Sequence, residues 1–237
     1  MEILAAERID AVHHFTPLHY LPFIARAKSL LDKRSLLGAN FAAQHLRPNS
    51  TRQDAERGFG DYTFLTLHPS PRILRSKLKA GYAHVDIAVP AEAVEAVAYS
   101  LCRFNVAKTR RLRRAGRPGY AESATNGRYY DAHQIPIARD DSDKAAMLRR
   151  HLAGSMIEVL VAGELALPVH TRIICYSAAD AATARRVLAH LGRPWAVTTA
   201  APPGPYRPDA GRIMAVQRFI DRALDEPDWR GDGLAFD

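Results

Sequence analysis

Two short segments carry side chains whose chemistry does not match their surroundings. In residues 156–163, MIEVLVAG, the apolar Ile157, Val159 and Val161 alternate with Met156, Glu158 and Leu160. Read as a strand, this places one carboxylate on an otherwise apolar face. A carboxylate there needs a partner or shifts its pKa, and such groups are frequent where chemistry is done. A structural alternative is an edge-strand glutamate paired with Arg149 or Arg150. The second segment, residues 12–24 (VHHFTPLHYLPFI), holds His13, His14, His19 and Thr16. As a strand it sets Val12, His14 and Thr16 on one face and His13 and Phe15 on the other. Such histidines can ligate a metal, fill a core or hold a ligand. His19 and His84 are available as further ligands, but no HExxH or comparable spacing accompanies them, so no metal is expected.

Charge is the next informative feature. The chain has 237 residues and a formal net charge of +8. Arg103, Lys108, Arg110, Arg111, Arg113, Arg114 and Arg117 fall within RFNVAKTRRLRRAGR, which contains no acid, so the rest of the molecule is nearly neutral. A cluster of this density can displace counterions from several phosphates, giving salt-sensitive, sequence-independent affinity for nucleic acid. The plain alternative is a solvated basic loop. Cys102 and Cys175 are the only cysteines and form no CxxC pair, which argues for buried thiols over a disulfide framework or cysteine-rich zinc site. No apolar run reaches transmembrane length, and the acidic start MEILAAERID lacks the features of a secretory signal, so the expected address is the cytoplasm with no membrane partner.

The elements that must position these groups alternate along the chain. AVHHFT reads as a strand, and PLHYLPFIARAKSLLDK as a helix with Thr16 as N-cap, Pro17 at its first position, and Leu18, Leu21, Ile24, Ala25 and Leu31 near one stripe. DYTFLTLHP and AHVDIAVP read as strands, the second alternating Val85, Ile87 and Val89 against His84, Asp86 and Ala88. AEAVEAVAYSLC looks helical. From about residue 105 to 143 periodicity is lost, and a loop of that length is functional or disordered. Beyond it come a helix (DKAAMLRRHLAGS), the Glu158 segment, the strand TRIICYS, a helix stopped at Gly192, the strand WAVTTA, and a final helix after Pro202, Pro203 and Pro205. That helix is expected to pack through Ile213, Val216, Phe219 and Ile220. The organisation anticipated is one unit over residues 1–200, including a basic loop at about 103–143, and a proline-linked helical extension over 201–237.

Four blocks in one order, HFT with LPFI, DYTFLTLHPSPRIL, DDSDKAAMLRRHLAGSMIEVLV and RIICYSAADAATARRVLAH, make the chain similar to the DarT-type DNA ADP-ribosyltransferases over roughly residues 12–198. His14, Phe15 and Thr16 match the family's His-x-Thr strand, Asp61 and Tyr62 its Asp-Tyr strand, and IEVLV its catalytic strand. His19 and Tyr20 stand where the family often has a polar pair, and the proline-linked tail is extra.

The resemblance implies an α+β fold, with split, strongly bent antiparallel β-sheets around an NAD cleft and helices outside. NAD would be the ADP-ribose donor substrate, without a metal. Glu158 would hold the ribose 2′-hydroxyl and stabilise an oxocarbenium-like transition state as nicotinamide leaves. His14 would bond a ribose hydroxyl, with Thr16 turning the chain beside it, and Tyr62 would stack on nicotinamide. Arg47, spaced from Gln44 like the family's Gln-x-x-Arg, would clamp the pyrophosphate or assist deprotonation of the acceptor, with Arg52 the second choice. The implied acceptor is a base in single-stranded DNA, gripped by Lys108, Arg110, Arg111, Arg113, Arg114 and Arg117, with Tyr120, Tyr129 and Tyr130 stacking on bases. A toxin–antitoxin or phage-defence setting follows, with a macrodomain-type partner that removes the mark. A catalytically silent nucleic-acid-binding module, or a related NAD-using enzyme acting on RNA or a small molecule, are the competing readings.

Overall fold

The computed structural model describes residues 2–38, 59–68, 74–75, 78, 83–103, 137–152, 157–204, 206 and 210–228. In chain order the helices are α1 (Ile3–Ala6), α2 (Leu21–Ala27), α3 (Lys33–Gly38), α4 (Ala91–Glu95), α5 (Asp141–His151), α6 (Ala178–His190) and α7 (Ala210–Asp225). The strands are β1 (Ala11–Pro17), β2 (Ser29–Leu30), β3 (Tyr62–Thr66), β4 (His84–Pro90), β5 (Tyr99–Cys102), β6 (Ile137–Ala138), β7 (Glu158–Ala162), β8 (Leu165–Ala166), β9 (Arg172–Cys175) and β10 (Ala196–Thr199).

One sheet runs β10-β9-β4-β1-β3-β7-β5-β6, and β2 pairs with β8 in a small separate ladder. Among the described strands only β9 and β10 are parallel, and helix α6 makes the crossover that parallel neighbours require. The large sheet is two four-stranded halves held at one point. β1 pairs with β4 along seven residues and β3 with β7 along five, yet β1 and β3 meet only at His13 and Thr66. That narrow join is the split expected of this α+β architecture.

Side-chain alternation gives the sheet two unlike faces. Val12, Val85, Ile87 and Val89 from one half, and Leu65, Leu101, Val159 and Val161 from the other, enter a single core. Ile3, Leu4, Leu21, Ala25, Leu148, Ala184 and Val187 cover it from the helices. The opposite face carries smaller apolar groups, such as Phe59, Cys102, Ile137 and Leu160. Helix ends follow local chemistry. The Asp140 carboxylate accepts from the Asp143 N–H at 2.8 Å to open α5, and Ser177 Oγ accepts from the Asp180 N–H at 3.0 Å to open α6. Gly192, at φ 61°, takes the left-handed position just past α6.

Several elements differ from the sequence expectation. Pro17 does not begin a helix: it is the last residue of β1, opposite His84, and the Leu18 N–H donates to the Ala83 carbonyl at 2.9 Å. Strand pairing therefore holds the chain past Thr16, which is not an N-cap. A 3₁₀ turn, Leu18–Tyr20, comes next, and α2 opens at Leu21 with Pro22 in its first turn and stops at Lys28, at φ 60°. Leu31 lies beyond that helix. The segment around Ala91–Cys102 also divides: α4 ends at Glu95, and Tyr99–Cys102 becomes β5 between β6 and β7. Burial of Tyr99 and Leu101 in the main core outweighs the helical propensity of the alanine-rich stretch before them.

Helix α7 packs against the body through Val216, Phe219, Ile220, Ala223 and Leu224, whereas Ile213 is exposed. Phe219 meets Phe23 and His19 edge-on, and Gln217 Nε2 donates to Thr183 Oγ1 at 2.6 Å. Arg26 Nη2 donates to the Ala223 carbonyl at 2.7 Å.

Candidate active site

The strand register builds a row of directly opposed residues across the sheet: Arg172, Ala88, His13, Thr66, Glu158, Cys102 and Ile137. Opposed residues share a face, so His13, Thr66 and Glu158 stand side by side where the two halves join. Glu158 is 6% exposed, and its strand is interior, flanked by β3 and β5. The edge-strand alternative therefore does not hold, and Arg149 and Arg150 are exposed on α5. The carboxylate lies on the face opposite the main core, among Thr66, Cys102 and Leu160, the setting in which a buried acid is kept for a purpose other than packing. Arg103, first residue of the basic stretch, directly follows Cys102, and its Nε and Nη1 are buried.

His14 sits on the other side of β1, opposite Ile87. Its Nδ1–H donates to the Phe64 carbonyl at 2.9 Å, so the ring bridges β1 and β3 just where their backbone pairing stops. A carbonyl only accepts, which fixes the proton on Nδ1 and leaves Nε2 with the lone pair. Burial pushes its pKa below 6.5, against the opposing effects of the Phe64 bond and the Asp86 charge. Thr16 is buried on the same side as His14, opposite Val85. Tyr62 lies on the Glu158 side, at the far end of β3 opposite Ala162, with its ring 5.5 Å from that of Phe59. Arg47, Arg52, Lys108, Arg110, Arg111, Arg113, Arg114, Arg117, Tyr120, Tyr129 and Tyr130 lie outside the described residues.

Of the roles open to it in the sequence, His13 takes none alone: it is paired with a buried acid on the neighbouring strand. Its Nδ1–H donates to Asp86 Oδ2 at 2.8 Å, and Asp86 is fully buried. The signal was present in AHVDIAVP, where an acid interrupts an apolar strand as Glu158 does in its own. Among the described residues no group of three or more His, Cys, Asp or Glu could hold a metal ion. No described helix is long and apolar enough to cross a membrane. Both cysteines are buried thiols, and burial pushes Cys175 up to about 12.

The fold is thus a helix-flanked α+β sheet, split at one narrow join with a buried glutamate beside it. The chain is similar to the solved structure of Thermus sp. 2.9 DarT in complex with ADP-ribosylated ssDNA, with a TM-score of 0.55 and 13% identity over 81% of this chain and 95% of that one. The same Thermus protein in complex with NAD+ gives a TM-score of 0.48 at 13% identity, over 81% of this chain and 96% of that one. In complex with carba-NAD+ it gives 0.47 at 14% identity, over 80% and 95%. The sequence matches no protein-family model and no curated protein. At this identity the likeness shows the fold.

Proposed function

We propose that this chain transfers ADP-ribose from NAD to a base in nucleic acid, with single-stranded DNA the preferred acceptor, and releases nicotinamide. The observation that carries the reading is Glu158, a buried carboxylate on an interior strand beside the join of a DarT-like fold. A chemical precedent supporting the acceptor is the Thermus DarT structure in complex with ADP-ribosylated ssDNA.

Glu158 accepts a hydrogen bond from the ribose 2′-hydroxyl and stabilises the positive charge that grows on the sugar as its bond to nicotinamide breaks. A carboxylate already removed from bulk water does this without reorganisation, so its effect is concentrated in the transition state. His14 and Thr16, with Tyr62 and Arg52, complete the proposed NAD contacts, and Arg47 serves the pyrophosphate or the acceptor proton. Lys108, Arg110, Arg111, Arg113, Arg114 and Arg117 neutralise the strand's phosphates, while Tyr129 and Tyr130 stack on its bases. Residues 1–200 form the transferase unit and 201–237 an extension. The setting is cytoplasmic, and a macrodomain-type antitoxin that removes the modification is the matching partner.

The test is mass spectrometry of single-stranded DNA, RNA and protein incubated with NAD. The expected product is DNA carrying one ADP-ribose for each nicotinamide released. Modified RNA beside unmodified DNA overturns the acceptor, and salt-sensitive DNA binding with no NAD turnover makes the chain a silent binding module. Replacing Arg110 and Arg111 together with alanine should lower the slope of log affinity against log salt by about 1.4 if each contacts one phosphate of a single strand. Titration at several salt concentrations measures it.

A further inference from the structure

His13 is one Thr66 away from Glu158 in the row across the sheet, so their backbones are two strand spacings, roughly 10 Å, apart. Its side chain is 14% exposed, on the face Glu158 shares, while its partner Asp86 is 0% exposed. Because a carboxylate oxygen accepts from Nδ1, the proton is on Nδ1 and the lone pair is on Nε2. Among the described residues Asp86 Oδ1 has no hydrogen-bond partner, so this buried acid is committed to the histidine alone. A buried carboxylate that fixes an imidazole tautomer and stabilises its protonated form is the arrangement that makes a histidine a proton acceptor. A histidine merely filling space would not require an otherwise unsatisfied acid behind it, since such burial is costly.

We propose that His13, oriented by Asp86, is the general base that takes the proton from the acceptor base, which leaves Arg47 the pyrophosphate role alone. This rests on the transferase reading above and adds a residue to it. As the acceptor's amide or amine nitrogen forms its bond to the ribose anomeric carbon, its N–H proton passes to His13 Nε2. The bond from that carbon to nicotinamide breaks, and its electron pair leaves with the pyridine as neutral nicotinamide. Asp86 stabilises the resulting imidazolium until the proton is lost to water. Glu158 governs departure of nicotinamide and His13 governs capture by the nucleic acid, which separates the two halves of the reaction between two strands.

His13→Asn is the informative variant, because its amide N–H can still donate to Asp86 while Nε2 is gone. It should lose about 10²–10⁴-fold in transfer to single-stranded DNA. Nicotinamide release should fall less, so free ADP-ribose gains at least about tenfold over the DNA-linked product, since water needs less help than a base to be captured. The wild-type transfer rate should show an acidic limb that the variant lacks. Groups that also bear on this limb are Asp86 and His84 on β4, Glu158 on β7, Arg172 on β9 and Tyr176 just after it. Asp86→Asn should lower transfer less than His13→Asn. Nitrogen NMR of the wild type should find the His13 proton on Nδ1, and thermal melting separates these effects from failed folding. Transfer and nicotinamide release falling in parallel, an unaltered pH profile, or a proton on Nε2 overturns the assignment to His13. A well-folded wild type that releases no nicotinamide overturns the transferase reading and this role with it.

Discussion

Alternate residues of the same strands serve unlike ends. On one face of the sheet, Val12, Ile87, Leu65, Val159 and Leu101 are sealed under helices in the main core. On the other, His13, Asp86, Thr66 and Glu158 occupy the neighbouring positions, nearly as buried yet polar. A strand's two-residue period makes this division available to any sequence. What differs here is that the polar face is concentrated at β1, β3, β4 and β7, on either side of the single-pair join. His14 and Thr16, proposed NAD contacts on the core side of β1, are where stability and chemistry overlap, whereas Glu158 and Leu101 on adjacent strands should separate them.

The largest contrast is expected at Glu158. Glu158→Gln keeps the volume and removes the charge, so ADP-ribose transfer should fall about 10²–10³-fold, as when a transition-state hydrogen-bond partner is lost. The unfolding midpoint should change far less than the rate, because the amide keeps the volume and hydrogen-bonding capacity of the carboxylate. Initial rates and thermal melting on the same preparation read both; full activity would remove the carboxylate from the mechanism. On the adjacent strand β5, opposite Val159, Leu101 tests the other face. It is 0% exposed in the main core, and Leu101→Ala should cost about 2–5 kcal/mol of stability. Urea unfolding measures this, and kcat at a temperature where the variant is folded should stay within a few-fold of wild type. A large kcat loss there would mean that the two faces are coupled through β5 and β7.

Much of this arrangement is legible in the sequence, and the failures have a common cause. Alternation in AVHHFT, DYTFLTL, AHVDIAV and IEVLV identifies β1, β3, β4 and β7, and it separates each strand's apolar side from its polar one. It also isolates Glu158. What alternation within a strand cannot supply is register between strands: a shift of one residue between β1 and β3 exchanges His13 and His14 across the sheet. The pairing of His13 with Thr66 joins segments fifty-three residues apart, so no local signal reports it. β5 escaped for a related reason. Four residues, YSLC, following a helix-forming alanine-rich run have little propensity of their own, and it is pairing with β7 and β6 that extends them. Thr16 and Pro17 looked like a helix entrance because their types suit one, while the ladder with β4 holds both in the strand.

The smallest expected effect concerns His14, the one imidazole placed on the apolar side of β1, and it distinguishes that side from His13's without any assay of turnover. Burial pushes the folded-state pKa of His14 below 6.5, so the folded protein resists a proton that the unfolded chain accepts. Stability from this group is complete above 6.5 and is lost as pH falls through that value toward the depressed folded one, because the unfolded state then binds more protons. His14→Asn can still donate to the Phe64 carbonyl but cannot titrate. Urea midpoints of wild type and variant at about pH 7.5 and about pH 5.5 isolate the term, since every other group is common to both. The wild type should lose more stability than His14→Asn between the two conditions. Equal losses would show that the His14 ring is as free to take a proton in the folded protein as in the unfolded chain, and that its bond to the Phe64 carbonyl does not depend on burial.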